Sequence, residues 1–134
     1  MAYQKYFLSL EKTFFMTTKE IANRLVKLCR EGEFEKAQSE LFAQDAISIE
    51  PQSTPDFAKE TKGLKAIKEK GEKWMNMVQE THEMEVSEPI VSDNSFACTM
   101  HMHVTMKQRG EMDMTELCVY EVKDGKIVKE EFLM

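Results

Sequence analysis

Apolar positions recur along this chain at two spacings, and the change between them separates a helical first half from a stranded second half. Thr17-Thr-Lys-Glu20 has the spacing of a capping box, and Ile21, Leu25, Leu28 and Cys29 follow on one helical stripe until Gly32 stops it. A short second helix starts near Glu33, with Phe34, Ala37 and Leu41 on one side. Ala46-Ile-Ser-Ile-Glu50 reads as a strand that Pro51 ends. Residues 51–62 are polar and read as a loop long enough to act as a lid or binding element. Gly63 precedes a third helix, with Leu64, Ile67, Gly71, Trp74, Met75 and Val78 on one stripe and Lys70 at its edge.

From His82 onward the period falls to two. Strands are predicted over 82–91, 96–107, 111–122 and 127–134, with turns at 92–94 and 108–110 and a tight hairpin at Asp124-Gly125. The order helix, helix, strand, helix, four-strand meander predicts an α+β fold. A cone-shaped, curved antiparallel sheet wraps around three helices and leaves a conical cavity on its concave side.

The strand over 111–122 carries the first chemical signal. One of its faces holds Met112, Met114, Glu116, Cys118, Tyr120 and Val122, so Glu116 is the single formal charge in an apolar row. A carboxylate facing a core is costly without a partner or a cavity, and its pKa rises by desolvation. If the turn at 108–110 closes a regular hairpin, Glu116 lies opposite Met102 and Tyr120 opposite Cys98. Glu116 is therefore either a general acid or base, or a ligand anchor, or a structural carboxylate held by Lys70, His82 or a backbone N–H.

Other candidates are weighed around it. His82 shares a predicted strand face with Met84, Val86 and Ile90, where it either transfers protons with Glu50 or Glu116 or caps a helix–strand junction. Glu50 alternates with Ala46 and Ser48, either looking into the cavity mouth or solvated. Lys70 beside Trp74 either offers a cation to a substrate oxygen or lays its stem along the ring with its charge in water. His101 and His103 share a strand face that on this register points outward, toward water or a dimer interface. Such a pair with an acidic neighbour also suits zinc or iron, but no metal is expected here. Met75, Met77, Met84, Met100, Met102, Met112 and Met114 supply much of the core, and methionine adapts to irregular apolar shapes. Trp74, Lys70, Met100, Met102 and Tyr120 are the expected lining of a pocket for a small hydrophobic or aromatic ligand.

Composition narrows the classes. The 134 residues fit one domain, and 42% hydrophobic residues permit a real core. A net charge of −6 without a Lys/Arg cluster argues against nucleic acid as a partner. No stretch is apolar enough to span a bilayer, and the first residues do not read as a signal peptide, so the expected location is the cytoplasm, with no membrane partner. The three cysteines show no zinc spacing and read as small buried hydrophobes in a reducing compartment. Residues 1–16, rich in aromatics (Tyr3, Tyr6, Phe7, Phe14, Phe15), read as an extension that packs on the domain over 17–134 or on a partner subunit.

Several phrases resemble the SnoaL-like branch of the nuclear-transport-factor-two-like superfamily, which includes ketosteroid isomerases and polyketide cyclases. They are Ala46-Ile-Ser-Ile-Glu-Pro51, Gly63-Leu-Lys-Ala-Ile67 through Lys70 and Trp74, and His82 with Val86-Ser-Glu-Pro89 and Asn94-Ser-Phe-Ala97. The most telling is Met114-Thr-Glu-Leu-Cys-Val-Tyr-Glu-Val-Lys-Asp-Gly-Lys-Ile127 with Glu130-Glu-Phe132. The resemblance spans about residues 17–134. It implies a cystatin-like fold, a cone-shaped pocket and a homodimer through the outer sheet face. Polyketide cyclases of the family use an Asp/His acid–base pair, whereas the carboxylate that stands out here is a Glu. The implied function is a small-molecule pocket protein, either a cofactor-free isomerase, cyclase or dehydratase for a small hydrophobic carbonyl compound, or a non-catalytic ligand-binding or dimerisation module. If it is an enzyme, Glu116, His82 and Glu50 are the candidates for the acid–base work. No nucleotide motif or nucleophile elbow points elsewhere.

Overall fold

The fold is taken from a computed structural model and is described for residues 15–134. Three helices are described: α1 (Thr18–Arg30), α2 (Phe34–Leu41) and α3 (Leu64–Met77). The strands are β1 (Phe42–Ile49), β2 (Glu60–Lys62), β3 (Val78–Val86), β4 (Ile90–Val91), β5 (Ser95–Met106), β6 (Gly110–Lys123) and β7 (Lys126–Leu133). They form one sheet in the order β2-β1-β7-β6-β5-β3, with β4 also paired to β5.

The helix signals in the sequence do what their chemistry requires. Thr17 Oγ1 accepts from the Glu20 N–H at 3.1 Å, and the Thr17 N–H donates to Glu20 Oε1 at 2.9 Å, so the capping box forms. At the other end Gly32 adopts φ +75°, which lets the Glu33 N–H reach the Leu28 carbonyl at 2.9 Å. Between them Ile21, Ala22, Leu25, Val26, Leu28 and Cys29 are buried. Ala37 and Leu41 of α2 and Leu64 and Ile67 of α3 complete the helical side of the core. The sheet side consists of Phe96, Cys98, Met100, Met102, Val104 and Met106 of β5, with Cys118, Tyr120 and Ile127. All three cysteines are free and buried. No described helix is long and apolar enough to cross a membrane.

Four departures from the sequence reading shape the site. The sheet is mixed rather than wholly antiparallel, because β1 runs parallel to β7. The helical stripe of α3 ends before Val78, which opens β3, and Met75 is 53% exposed. The predicted loop contains the short strand β2, and its remainder is pinned by Arg109 to Asp56 at 2.8 Å and by Phe57 against Trp74, ring centroids 6.5 Å apart. The predicted strand over 82–91 is two strands, β3 and β4, and β3 begins four residues earlier, at Val78. Of the aromatic N-terminal extension, Tyr3, Tyr6, Phe7 and Phe14 lie outside the described residues, while Phe15 is exposed and its ring lies against Gly125 of the β6–β7 turn.

Candidate functional site

The inner row of β6 is the one the alternation predicts, but its partners are offset. The loop after β5 closes with Met106 opposite Gly110, so Glu116 faces Met100 rather than Met102, and Tyr120 faces Phe96 rather than Cys98. A shift of two residues keeps every side chain on its predicted face, whereas a shift of one would have turned Glu116 outward. Tyr120 stacks on Phe96 with ring centroids 4.8 Å apart, and burial drives its phenol well above the ordinary value. Tyr120 is thus a core residue. Met100 and Met102 face inward and are buried.

A polar group lies near Glu116, close enough for its charges to act on that carboxyl group. Lys70, one turn before Trp74 on α3, donates from Nζ to Glu50 Oε2 at 2.8 Å and to Ser48 Oγ at 2.6 Å. Its side chain is 15% exposed, so the ammonium does not snorkel to water; it is held by Ser48 of β1 and by Glu50 just beyond it. Ser48 Oγ in turn donates to Glu130 Oε2 at 2.7 Å. Ser48 and Glu130 lie directly opposite each other on the parallel pair β1–β7, and both are buried. Glu50, just past the end of β1, is half-buried. Lys70 Nζ also sits 5.6 Å from the centroid of the Phe132 ring. Among the described residues no buried side-chain nitrogen or oxygen lacks a hydrogen-bond partner.

Three carboxyl groups, Glu50, Glu116 and Glu130, therefore share one lysine. Burial pushes Glu116 up to about 7, and the negative charges of Glu50 and Glu130 add to it while Lys70 opposes. Burial raises Glu130 to about 6 against the pull of its Ser48 hydrogen bond and of Lys70. A carboxyl group with a pKa near neutrality can both accept and release a proton under ordinary conditions. No metal is needed to hold this arrangement, since a lysine already supplies the cation.

Other predicted residues fall elsewhere. In β3 the ladder passes from Thr81–Val104 directly to Glu83–His103, leaving His82 as the extra residue of a bulge. The bulge breaks the alternation with Met84 and Val86. His82 instead reaches the outer face, where Nε2 meets Thr105 Oγ1 at 2.6 Å. It shares no face with Glu116 or Glu50. Trp74 is half-buried and packs on the core cluster.

Ser48 and Glu130 are the members that sequence reasoning missed. Strict alternation from the buried Ile127 would turn Lys129, Glu131 and Leu133 inward. The β6–β7 ladder instead jumps from Val122–Ile127 to Glu121–Lys129, so Val128 is an extra residue and Glu130 and Phe132 turn inward. The legible signal was Phe132, an aromatic two residues after Glu130 and out of phase with Ile127. An open cleft of about 430 Å³ lies apart from this group, between the end of α1 and the β3–β5 edge, lined by Arg30, Met84, Thr99 and His101 among others. It contains none of the three clustered carboxyl groups, and burial together with shared charge marks the Glu116 group as the candidate site.

The fold recurs among known proteins. The model of the SnoaL-like domain matches residues 16–134. A protein from Mesorhizobium loti described as a SnoaL-like polyketide cyclase is 32% identical, with TM-score 0.81 over 89% of this chain and 100% of that one. A nuclear-transport-factor-two-like protein of unknown function from Burkholderia pseudomallei shares the fold at 13% identity and TM-score 0.70, covering 89% and 92% of the two chains. So does a Mycobacterium tuberculosis protein crystallised with estradiol-17β-hemisuccinate, at 14% identity and TM-score 0.68, covering 89% and 95%. No curated protein matches the sequence significantly. A curved mixed sheet over three helices, together with a family match across nearly the whole described chain, establishes that this protein belongs to the SnoaL-like domain family.

Proposed function

We propose that the protein binds a small hydrophobic or aromatic carbonyl compound on the concave side of its sheet and performs acid–base chemistry on it: isomerisation, cyclisation or dehydration. The observation that carries this reading is Glu116, a carboxyl group pushed up to about 7 among methionines and beside two further carboxyl groups. Glu116 takes the transferred proton. Lys70, fixed by Glu50 and Ser48, lowers the energy of negative charge that develops on the substrate oxygen. Met100, Met102 and Trp74 supply apolar contact. The steroid-like ligand of the Mycobacterium tuberculosis relative supports a hydrophobic ligand class. In this reading the protein works in the cytoplasm, without cofactor, as a homodimer. Leu117 and Leu133, opposed across β6–β7 and 41% and 43% exposed, supply apolar surface on the outer face for such a dimer.

A small β,γ-unsaturated cyclic ketone is a suitable probe, because its conversion to the conjugated enone is read by ultraviolet absorbance. The expected result is turnover that rises through an ionisation near pH 7 and falls by at least about 100-fold in Glu116→Gln, with KM roughly kept. The second reading is non-catalytic binding, and it is favoured by the pairing of two of the three Lys70 N–H donors with Glu50 and Ser48. Ketone-induced thermal stabilisation without turnover would select it, and the absence of both would leave a dimerisation module.

A further inference from the structure

The chain has three histidines, His82, His101 and His103, and the fold gathers all of them on the outer face of the sheet, away from Glu116. His101 and His103 arrive there by ordinary alternation along β5. His82 arrives because the β3 bulge turns it outward, and its ring comes to lie 4.7 Å from that of His103, centroid to centroid. On the far side of His103, β6 supplies acid: Glu111 Oε2 is 3.9 Å from His103 Nε2. One ligating atom from each of His82, His103 and Glu111 can be chosen so that all three lie within 4.8 Å of one another.

Two imidazole nitrogens and one carboxylate oxygen are the donors that zinc and its neighbours in the first transition row take, in contrast to the all-oxygen shells of magnesium and calcium. A tetrahedral ion with bonds of about 2.0–2.1 Å needs its donors roughly 3.4 Å apart. The three groups therefore need to close by up to about 1.4 Å, which two exposed side chains and a half-buried one achieve by rotations within their staggered wells. The strand pairing fixes their Cα positions in advance. Thr105 lies directly opposite Glu111, and its hydroxyl lies 2.6 Å from His82 Nε2, which orients the ring. A neighbouring group of Glu83, Glu85 and His101 offers one imidazole only, and Asp113 Oδ1 already holds that imidazole's Nε2 at 2.6 Å.

We propose that His82, His103 and Glu111 form a binding site for a zinc-type divalent cation on the outer face of the sheet, separate from the interior carboxyl group cluster. Three protein ligands leave further positions on the ion. Pairing of two copies through this face would bring additional groups to those positions without displacing the first three.

The test is calorimetric titration of Zn²⁺ into the tag-free full chain with thiols reduced. One ion per chain is expected. His82→Ala and Glu111→Gln should each weaken binding by at least about tenfold, and His101→Ala by less than about threefold. Melting in EDTA should be the same for all variants, since the side chains changed sit on the outer face. Absence of saturable binding by the unmodified chain, wild-type affinity in His82→Ala, or a loss in His101→Ala as large as that in His82→Ala overturns the proposal. With Co²⁺ in place of zinc, a thiolate charge-transfer band would move the ion to the cysteines and overturn it equally.

Discussion

Replacing Glu116 by glutamine tests the interior cluster through stability alone. The side chain keeps its shape and loses its titration. In the unfolded chain the carboxyl group has its ordinary value, 4.5, and in the fold it is pushed up to about 7. At about 1.4 kcal/mol per pH unit between those values, ionisation of Glu116 opposes folding by ~3 kcal/mol once the pH has passed 7. The sign follows from proton binding. Below the unfolded value both states hold the proton and no penalty exists. Between 4.5 and 7 only the folded state holds it, so native stability falls as pH rises. Above 7 both states have lost the proton, and the penalty is constant. Glutamine carries no such penalty, so Glu116→Gln should match the wild type near pH 4 and exceed it at pH 8. For a domain of this size ~3 kcal/mol corresponds to roughly 10 °C in Tm. Glu130, raised to about 6, leaves the variant a smaller fall over the same range, so the difference between the two pH profiles isolates Glu116. Urea unfolding across pH 4–8 measures it. A variant less stable than wild type by more than about 2 kcal/mol at pH 8 would refute the reasoning, because it would make the carboxylate one half of a satisfied ion pair.

Lys70→Met removes the cation beside Glu116 and Glu130 and should cost about 3 kcal/mol at pH 8, with the gap to wild type narrowing as pH falls through the range in which these two groups, raised to about 7 and about 6, take up protons; an equal loss at pH 8 and pH 5, by urea midpoint, would assign the effect to packing of the stem. Ser48→Ala deletes the hydrogen bonds at 2.6 and 2.7 Å that join Lys70 to Glu130. It should cost about 1–3 kcal/mol in thermal melting and move the Glu130 titration, followed by NMR, further upward. Gly125→Ala meets two obstacles, a φ of +74° and a Cβ that would lie 2.8 Å from Phe15 Cδ1. A loss of about 1–2 kcal/mol is expected, and adding Phe15→Ala should recover the steric part while leaving the backbone part.

Parity along the strands was legible without any structure. Alternation alone placed Met112, Met114, Glu116, Cys118 and Tyr120 on one buried face, and it survived a hairpin offset of two residues because the side-chain period is two. Capping chemistry fixed the ends of α1, and Asp124-Gly125, with φ of 51° and 74°, formed the tight turn its residue types favour. Two bulges carried what the sequence left open. One extra residue at His82 moved an expected interior histidine to the outer face beside His103. One at Val128 turned Glu130 to the interior, beside Ser48, where strict alternation from Ile127 would have left it outside. A bulge depends on how two strands negotiate twist and register along their whole length, so no local pattern announces it. The parallel pairing of β1 with β7, between segments some eighty residues apart, likewise appears only when the sheet is assembled. Hydrophobic period thus located the long strands β5, β6 and β7 and the inner face of β6, while the long-range pairing decided which acids meet the lysine.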